Sequence, residues 1–239
     1  MGKPLVVITG ATHGIGRALA ARFAADGHPL LLIARHAEPL GEELSGDTIR
    51  QATVDVTDAA AMHAAIRGAE AAFGPTECLI NNAGFIHIGT LEERDPADIG
   101  YEVDVLFKGV LNGIHAVLGG MKARRSGTII NITSIGDRTP GPEGEPYHAA
   151  KAAVRSLSAS LQKGRAADNV RVINVAPGLV RTNIHATMGI SFEEYCRRLG
   201  NPEFISAEEL AEIVFFCWSQ PQRICVRDIV VMPTTSDFG

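Results

Sequence analysis

The sequence predicts an α/β fold: one domain over residues 1–239, with a doubly wound parallel sheet of about seven strands flanked by helices. Three observations predict it. Apolar runs of strand length alternate with segments of helical period, the pattern of βαβ units. The run Leu30 to Ala34 is apolar at every position, as strands covered on both faces require. A glycine cluster, Gly10, Gly14 and Gly16, falls between the first strand-length run and the first helical segment.

Taken in order, Pro4 to Thr9 reads as a buried first strand. Gly14 to Gly27 reads as a helix, with Ile15, Leu19 and Phe23 on one face and a terminal glycine stop. Leu30 to Ala34 is a second strand and Ile49 to Val56 a third. Asp58 to Phe73 is an Ala-rich helix capped by Thr57 or Asp58. Cys78 to Asn81 is a short fourth strand running into Asn-Asn-Ala-Gly. Asp98 to Arg124 is one long helix, Thr128 to Thr133 a fifth strand, and Tyr147 to Ala166 a further helix. Val170 to Val175 is a sixth strand closed by Pro177-Gly178. Residues 182 to 204 carry Phe192, Tyr195 and Phe204 without a clear period, and a loop of that length after a strand reads as a lid. Ala207 to Ser219 is a helix and Ile224 to Met232 the last strand.

Composition narrows the function classes. The net charge of −5 is spread out, and no Lys/Arg run points to nucleic acid. No apolar stretch reaches the roughly 20 residues of a membrane span. The N-terminus has neither a basic region nor a small-residue cleavage site, so the chain reads as cytoplasmic. Cys78, Cys196, Cys217 and Cys225 form no Cys-x-x-Cys pair, and no His/Cys/Asp cluster has metal spacing.

The glycine cluster reads as a dinucleotide loop, because it follows a strand and opens a helix. Glycines let the backbone approach a diphosphate, and the helix dipole favours its charge. The dinucleotide type is read after the second strand, where a carboxylate would hold a ribose 2′-OH and an Arg a 2′-phosphate. Here the chain gives Ile33-Ala34-Arg35-His36, with no carboxylate before Glu38. Arg35 is a planar donor suited to phosphate, and His13 adds a second basic group, so NADP(H) is favoured over NAD(H).

Tyr147 and Lys151 stand four residues apart on one helix face, with Ser134 thirteen residues before the tyrosine. Bringing a tyrosine from its usual pKa of about 10 to near 7 takes about 4 kcal/mol. A neighbouring ammonium, together with the positive nicotinamide ring of an oxidised cofactor, is expected to supply much of it. Together with the glycine loop, these residues resemble the short-chain dehydrogenase/reductase family in its shorter single-domain branch, a Rossmann-type fold. The likeness covers essentially the whole chain. Thr9-Gly10-x-x-x-Gly14-x-Gly16 matches the cofactor loop, Asp55-Val56 the acidic position that contacts adenine, and Asn81-Asn82-Ala83-Gly84 the motif bracing the central strand. Ser134, Tyr147 and Lys151 match the catalytic Ser-Tyr-Lys, and Pro177-Gly178 with Thr182 the turn at the nicotinamide end.

The resemblance implies hydride transfer between nicotinamide and a carbonyl or secondary alcohol of a small or medium substrate, with Tyr147 as acid/base. It implies cofactor contacts from Gly10, Thr12, His13, Gly14, Ile15 and Gly16. Further contacts are implied from Asn82, Ala83 and Gly84, from Tyr147 and Lys151, and from Pro177, Gly178, Val180 and Thr182. It also implies a homodimer or homotetramer through the helices at 98–124 and 147–166. His87 is expected to point into the substrate pocket, while His115 and His148 read as packing or surface residues. One position departs: counting back from Lys108-Gly109, Leu106 stands where the family carries a catalytic Asn. That substitution opens an alternative, a catalytically weak NADP(H)-binding sensor.

Overall fold

The computed structural model describes residues 2–36, 39–184 and 190–236. Glu38 and residues 185–189 of the expected lid lie outside the described residues. The strands are β1 (Leu5–Thr9), β2 (Leu30–Ala34), β3 (Ile49–Thr53), β4 (Thr76–Asn81), β5 (Thr128–Ile132), β6 (Arg171–Pro177) and β7 (Asp228–Val231). They form one sheet in the order β3-β2-β1-β4-β5-β6-β7, with every pairing parallel. The helices are α1 (Gly14–Ala25), α2 (Ala59–Phe73), α3 (Pro96–Val103), α4 (Gly109–Arg124), α5 (Glu145–Arg165), α6 (Phe192–Arg198) and α7 (Ala207–Ser219).

Alternate side chains of the central strands feed two cores. Val6, Ile8, Ile130 and Ile173 pack with Leu19 and Phe23 of α1 and Leu210 and Val214 of α7. On the other face Leu5, Val7, Leu79 and Ile129 pack with Met62, Ile66, Ile114, Val117 and Val154 from α2, α4 and α5. This two-sided cover explains the unbroken apolar strands. The strand order reverses between β1 and β4, and the crevice beyond the carboxyl ends at such a point is where ligands bind in this architecture.

The sequence expectations hold in order and shift at their ends. β3 stops at Thr53, because Asp55 turns its carboxylate onto the Thr57 amide and hydroxyl at 2.9 and 2.8 Å. Thr57 is thus used, and Asp58 caps α2 by accepting from Ala61 N. α5 starts at Glu145 with Pro146 in its first turn, where a missing N–H costs nothing. β7 is limited to the four residues that pair with Asn174–Pro177.

The expected single helix at 98–124 is three pieces. It starts at Pro96, capped by Asp95, and a π-helical turn at Asp104–Lys108 joins α3 to α4. By length and mean hydropathy the run Pro96–Arg124 also resembles a membrane span. Val105, Val110, Ile114, Val117 and Met121 instead face the sheet, as in a core helix. The expected lid contains α6, whose cap Ser191 accepts from Glu194 N at 3.1 Å. The Ser-x-x-Glu signal was present in the sequence.

Candidate active site

The glycine loop is built from close approach. Gly10 and Gly14 have φ of +66° and +48°, the left-handed region that favours glycine. A Cβ on Gly16 would run into the Gly10 carbonyl and the Asn82 amide. Asn82 Nδ2 donates to the carbonyls of Thr9 and Gly10 at 3.0 and 3.1 Å. The Thr9 hydroxyl accepts from the amides of Asn82 and Ala83. These bonds clamp the ends of β1 and β4 together. His13 holds the N-cap of α1 without a side-chain cap bond, so the first-turn amides receive none from it. This cradle fits a dinucleotide diphosphate.

A cleft of about 1070 Å³ runs from this loop across the sheet ends. Its wall includes Gly10, Thr12, His13, Gly14 and Ile15 from the loop, and Arg35 and Val56 at one end. Asn82, Ala83 and Gly84 line the middle. Ser134, Tyr147 and Lys151 stand towards the other end, with Pro177, Gly178, Val180 and Thr182. Gly16 and Asp55 lie behind the wall. Gly16 packs against the Gly10 carbonyl and Asn82, and Asp55 is bonded by Thr57 and Tyr101.

Two histidine expectations are corrected. His87 is not part of the wall: its backbone N–H donates to Glu102 Oε1 at 3.2 Å, and its ring packs 5.1 Å from that of Phe85. Its neighbours Ile86 and Ile88 line the cleft instead. His148 both packs and lines the cleft, its ring filling space that a Cβ at Gly136 would occupy.

Ser134 ends the segment after β5 and starts a short 3₁₀ turn, its hydroxyl accepting from Gly136 N at 3.2 Å. One helical turn on from Tyr147, Lys151 Nζ donates to the Ile132 carbonyl at 2.8 Å and stands 5.6 Å from the Tyr147 ring centroid. Burial pushes the Tyr147 hydroxyl up to about 12, only partly offset by Ser134. Burial also pulls the Lys151 ammonium down to about 8, with Asp137 opposing it. Among the protein's own groups desolvation outweighs the lowering by Ser134, so the hydroxyl stays above its usual value. At neutral pH burial keeps the Tyr147 hydroxyl protonated.

At the other end, a feature missing from the sequence reading links three side chains. Arg35 Nη1 donates to the Tyr101 hydroxyl at 2.9 Å, and that hydroxyl donates to Asp55 Oδ2 at 2.6 Å. Burial pulls the Asp55 carboxyl upward, but bonds from Tyr101 and Thr57 outweigh it and hold the group below its usual value. Nothing in the local sequence pairs residue 101 with residues 35 and 55; the contact comes from α3 bringing Tyr101 to the segments just after β2 and β3.

Leu106 sits on the π-helical turn, fully buried. Its Cδ2 would lie 2.9 Å from a Cβ at Gly84, and that same Cβ position is 3.7 Å from Lys151 Nζ. An apolar side chain thus fills the ground beside the lysine. Asn112 offers no replacement, since its amide donates to the Val56 and Thr57 carbonyls at 2.8 and 3.2 Å. Among the described residues no group of His, Cys, Asp and Glu is placed to hold a metal ion.

The family model for short chain dehydrogenases matches residues 4–190. Sulfoacetaldehyde reductase 2 of Chromohalobacter salexigens is 34% identical over 96% of this chain and 94% of its own length. The closed form of a serine dehydrogenase complexed with NADP+ superposes with a TM-score of 0.89 at 28% identity, over 98% of this chain and 96% of that one. A 3-ketoacyl-(acyl-carrier-protein) reductase from Brucella melitensis complexed with NADH gives a TM-score of 0.87 at 26% identity, over 99% of each. The chain belongs to the short-chain dehydrogenase/reductase family. It is a nicotinamide-dependent oxidoreductase of CH–OH and C=O groups.

Proposed function

We propose that the chain is an NADP(H)-dependent reductase of small or medium carbonyl substrates, with Tyr147 as the acid/base. The observation that carries this reading is the meeting of Ser134, Tyr147 and Lys151 on one wall of the cleft whose other end holds the glycine cradle and Arg35. The residues present fit the cofactor: first-turn amides of α1 for the diphosphate, Arg35 for a 2′-phosphate and Lys151 for the ribose. When bound, the nicotinamide supplies or accepts the hydride.

In reduction Ser134 donates a hydrogen bond to the substrate oxygen and fixes the carbonyl for attack. Tyr147, protonated at neutral pH, gives its proton to the same oxygen as negative charge develops there. Lys151, held by the Ile132 carbonyl, keeps a positive charge near the phenol and favours its deprotonated form as the proton leaves. In oxidation Tyr147 takes the proton back. Ile86, Ile88, Tyr195 and Leu199 give the substrate end an apolar wall, and Arg198 is a cation on it. Sulfoacetaldehyde and serine, named for two relatives, are small and carry an anionic group, so short anionic aldehydes join neutral ketones as candidates.

The second reading, a nucleotide-binding sensor, is favoured only by Leu106. Assembly through the α3–α4 run and α5 belongs to the proposal, and sedimentation of the purified chain tests it. Activity is tested by following reduced-nicotinamide absorbance with NADPH or NADH against aldehydes, ketones and α-dicarbonyls, charged and neutral. The expected result is turnover that is faster with NADPH at limiting concentration. Tight NADPH binding with no turnover on any member favours the sensor, and preference for NADH contradicts the cofactor assignment.

A further inference from the structure

The Arg35–Tyr101–Asp55 chain has a direction. Arg35 lines the cleft, and its guanidinium carbon lies 5.8 Å from the Phe85 ring centroid and 5.7 Å from that of Tyr101. The two rings are 5.9 Å apart and inclined by 30°. Aromatic contacts alone leave a guanidinium free to rotate in its plane. The Tyr101 hydroxyl removes that freedom: it accepts from Nη1 and donates to a carboxylate that two Thr57 donors hold in place. Among the described residues Nε and Nη2 of Arg35 have no hydrogen-bond partner. They form the paired edge that binds a phosphate bidentately.

We infer that Tyr101 is a positioning residue for cofactor choice: its hydroxyl, anchored on Asp55, orients Arg35 so that the open edge of the guanidinium takes the 2′-phosphate of NADP(H). The inference rests on the NADP(H) reading above. It makes Asp55 contribute to phosphate selection through Tyr101, from behind the wall of the cleft. It also places the determinant on α3, far in sequence from the β2 end where cofactor type is read.

The test is a double-mutant cycle on the full chain, read by calorimetric binding and not by turnover. Wild type, Tyr101→Phe, Arg35→Ala and the double variant are titrated with NADPH, NADH, adenosine 2′,5′-bisphosphate and 5′-AMP. Tyr101→Phe keeps the ring and is expected to weaken NADPH and the bisphosphate about tenfold, the loss of one charge-assisted bond's ordering, while NADH and 5′-AMP stay within about twofold. In the Arg35→Ala background the same change is expected to add nothing. Equal weakening of all four ligands means a structural role only and overturns the inference. So does no change in any, or additivity of the two substitutions on the bisphosphate. Wild type that binds NADH at least as tightly as NADPH overturns the cofactor reading; the positioning role is then judged on the cycle with the bisphosphate.

Discussion

Lys151 lies 5.6 Å from the centre of the Tyr147 ring, yet it spends a donor on the Ile132 carbonyl and remains almost fully buried. The two groups therefore carry opposite burdens: the tyrosine is kept protonated and the lysine is pressed to give its proton up.

This arrangement has a stability signature. Lys151 titrates at about 8 when folded, against 10.5 for the ordinary group. Between those values the unfolded chain binds more protons, so stability rises with pH across the window and the penalty is full below about 8. At 1.36 kcal/mol per unit the ceiling is roughly 3 kcal/mol. Tyr147 acts in the opposite sense only above about 10, where raising its value makes stability fall with pH. Denaturant melts from pH 7.5 to 10 are expected to show wild type gaining on Lys151→Met. Parallel curves for the two proteins contradict the burial account.

Gly16→Ala tests the cradle. Its Cβ meets the Gly10 carbonyl and the Asn82 amide, which together clamp β1 to β4. Overpacking backbone against backbone is expected to cost about 2–3 kcal/mol and to abolish dinucleotide binding. Gly68→Ala is the control: on the exposed face of α2 a Cβ meets only Arg50 Nη1 at 3.7 Å, and helix propensity predicts a gain of about 0.5–1 kcal/mol. Thermal melts and NADPH titration of both variants check the pair.

The Arg94–Glu102 ion pair is buried, with side-chain exposures of 9% and 0%. Glu102 also receives the His87 amide, so it ties the loop after β4 to α3. Glu102→Gln is expected to cost about 3–5 kcal/mol by leaving the arginine uncompensated. Replacing both partners with apolar residues is expected to recover most of that in denaturant unfolding.

The sheet, the glycine loop and the Ser-Tyr-Lys spacing were legible because each is a local pattern: unbroken apolar runs, glycine after a strand, and two side chains one helical turn apart. What was not legible came from distant contacts. Tyr101 meets Arg35 across 66 residues, and no local rule announces it. The π-helical turn at Asp104–Lys108 keeps helical periodicity on both sides and so hides inside one apolar pattern. The raised value of Tyr147 depends on how much protein covers it, which spacing to Lys151 does not reveal. The Ser191 cap is a local signal, but the seven residues of α6 give little helical period beside it.

Leu106→Asn separates enzyme from sensor. Leu106 is fully buried against Gly84, so the variant is expected to lose about 2–3 kcal/mol of stability. If the protein is an enzyme as built, turnover by Leu106→Asn stays within a few-fold of wild type. A silent wild type that gains turnover with the asparagine supports the sensor.

The most direct measurement is carbonyl reduction by Tyr147→Phe beside NADPH binding by the same protein. The account predicts loss of turnover by at least about a hundredfold, the range of general acid catalysis, with NADPH affinity and melting temperature nearly unchanged. Turnover that survives the loss of the hydroxyl contradicts Tyr147 as the proton donor.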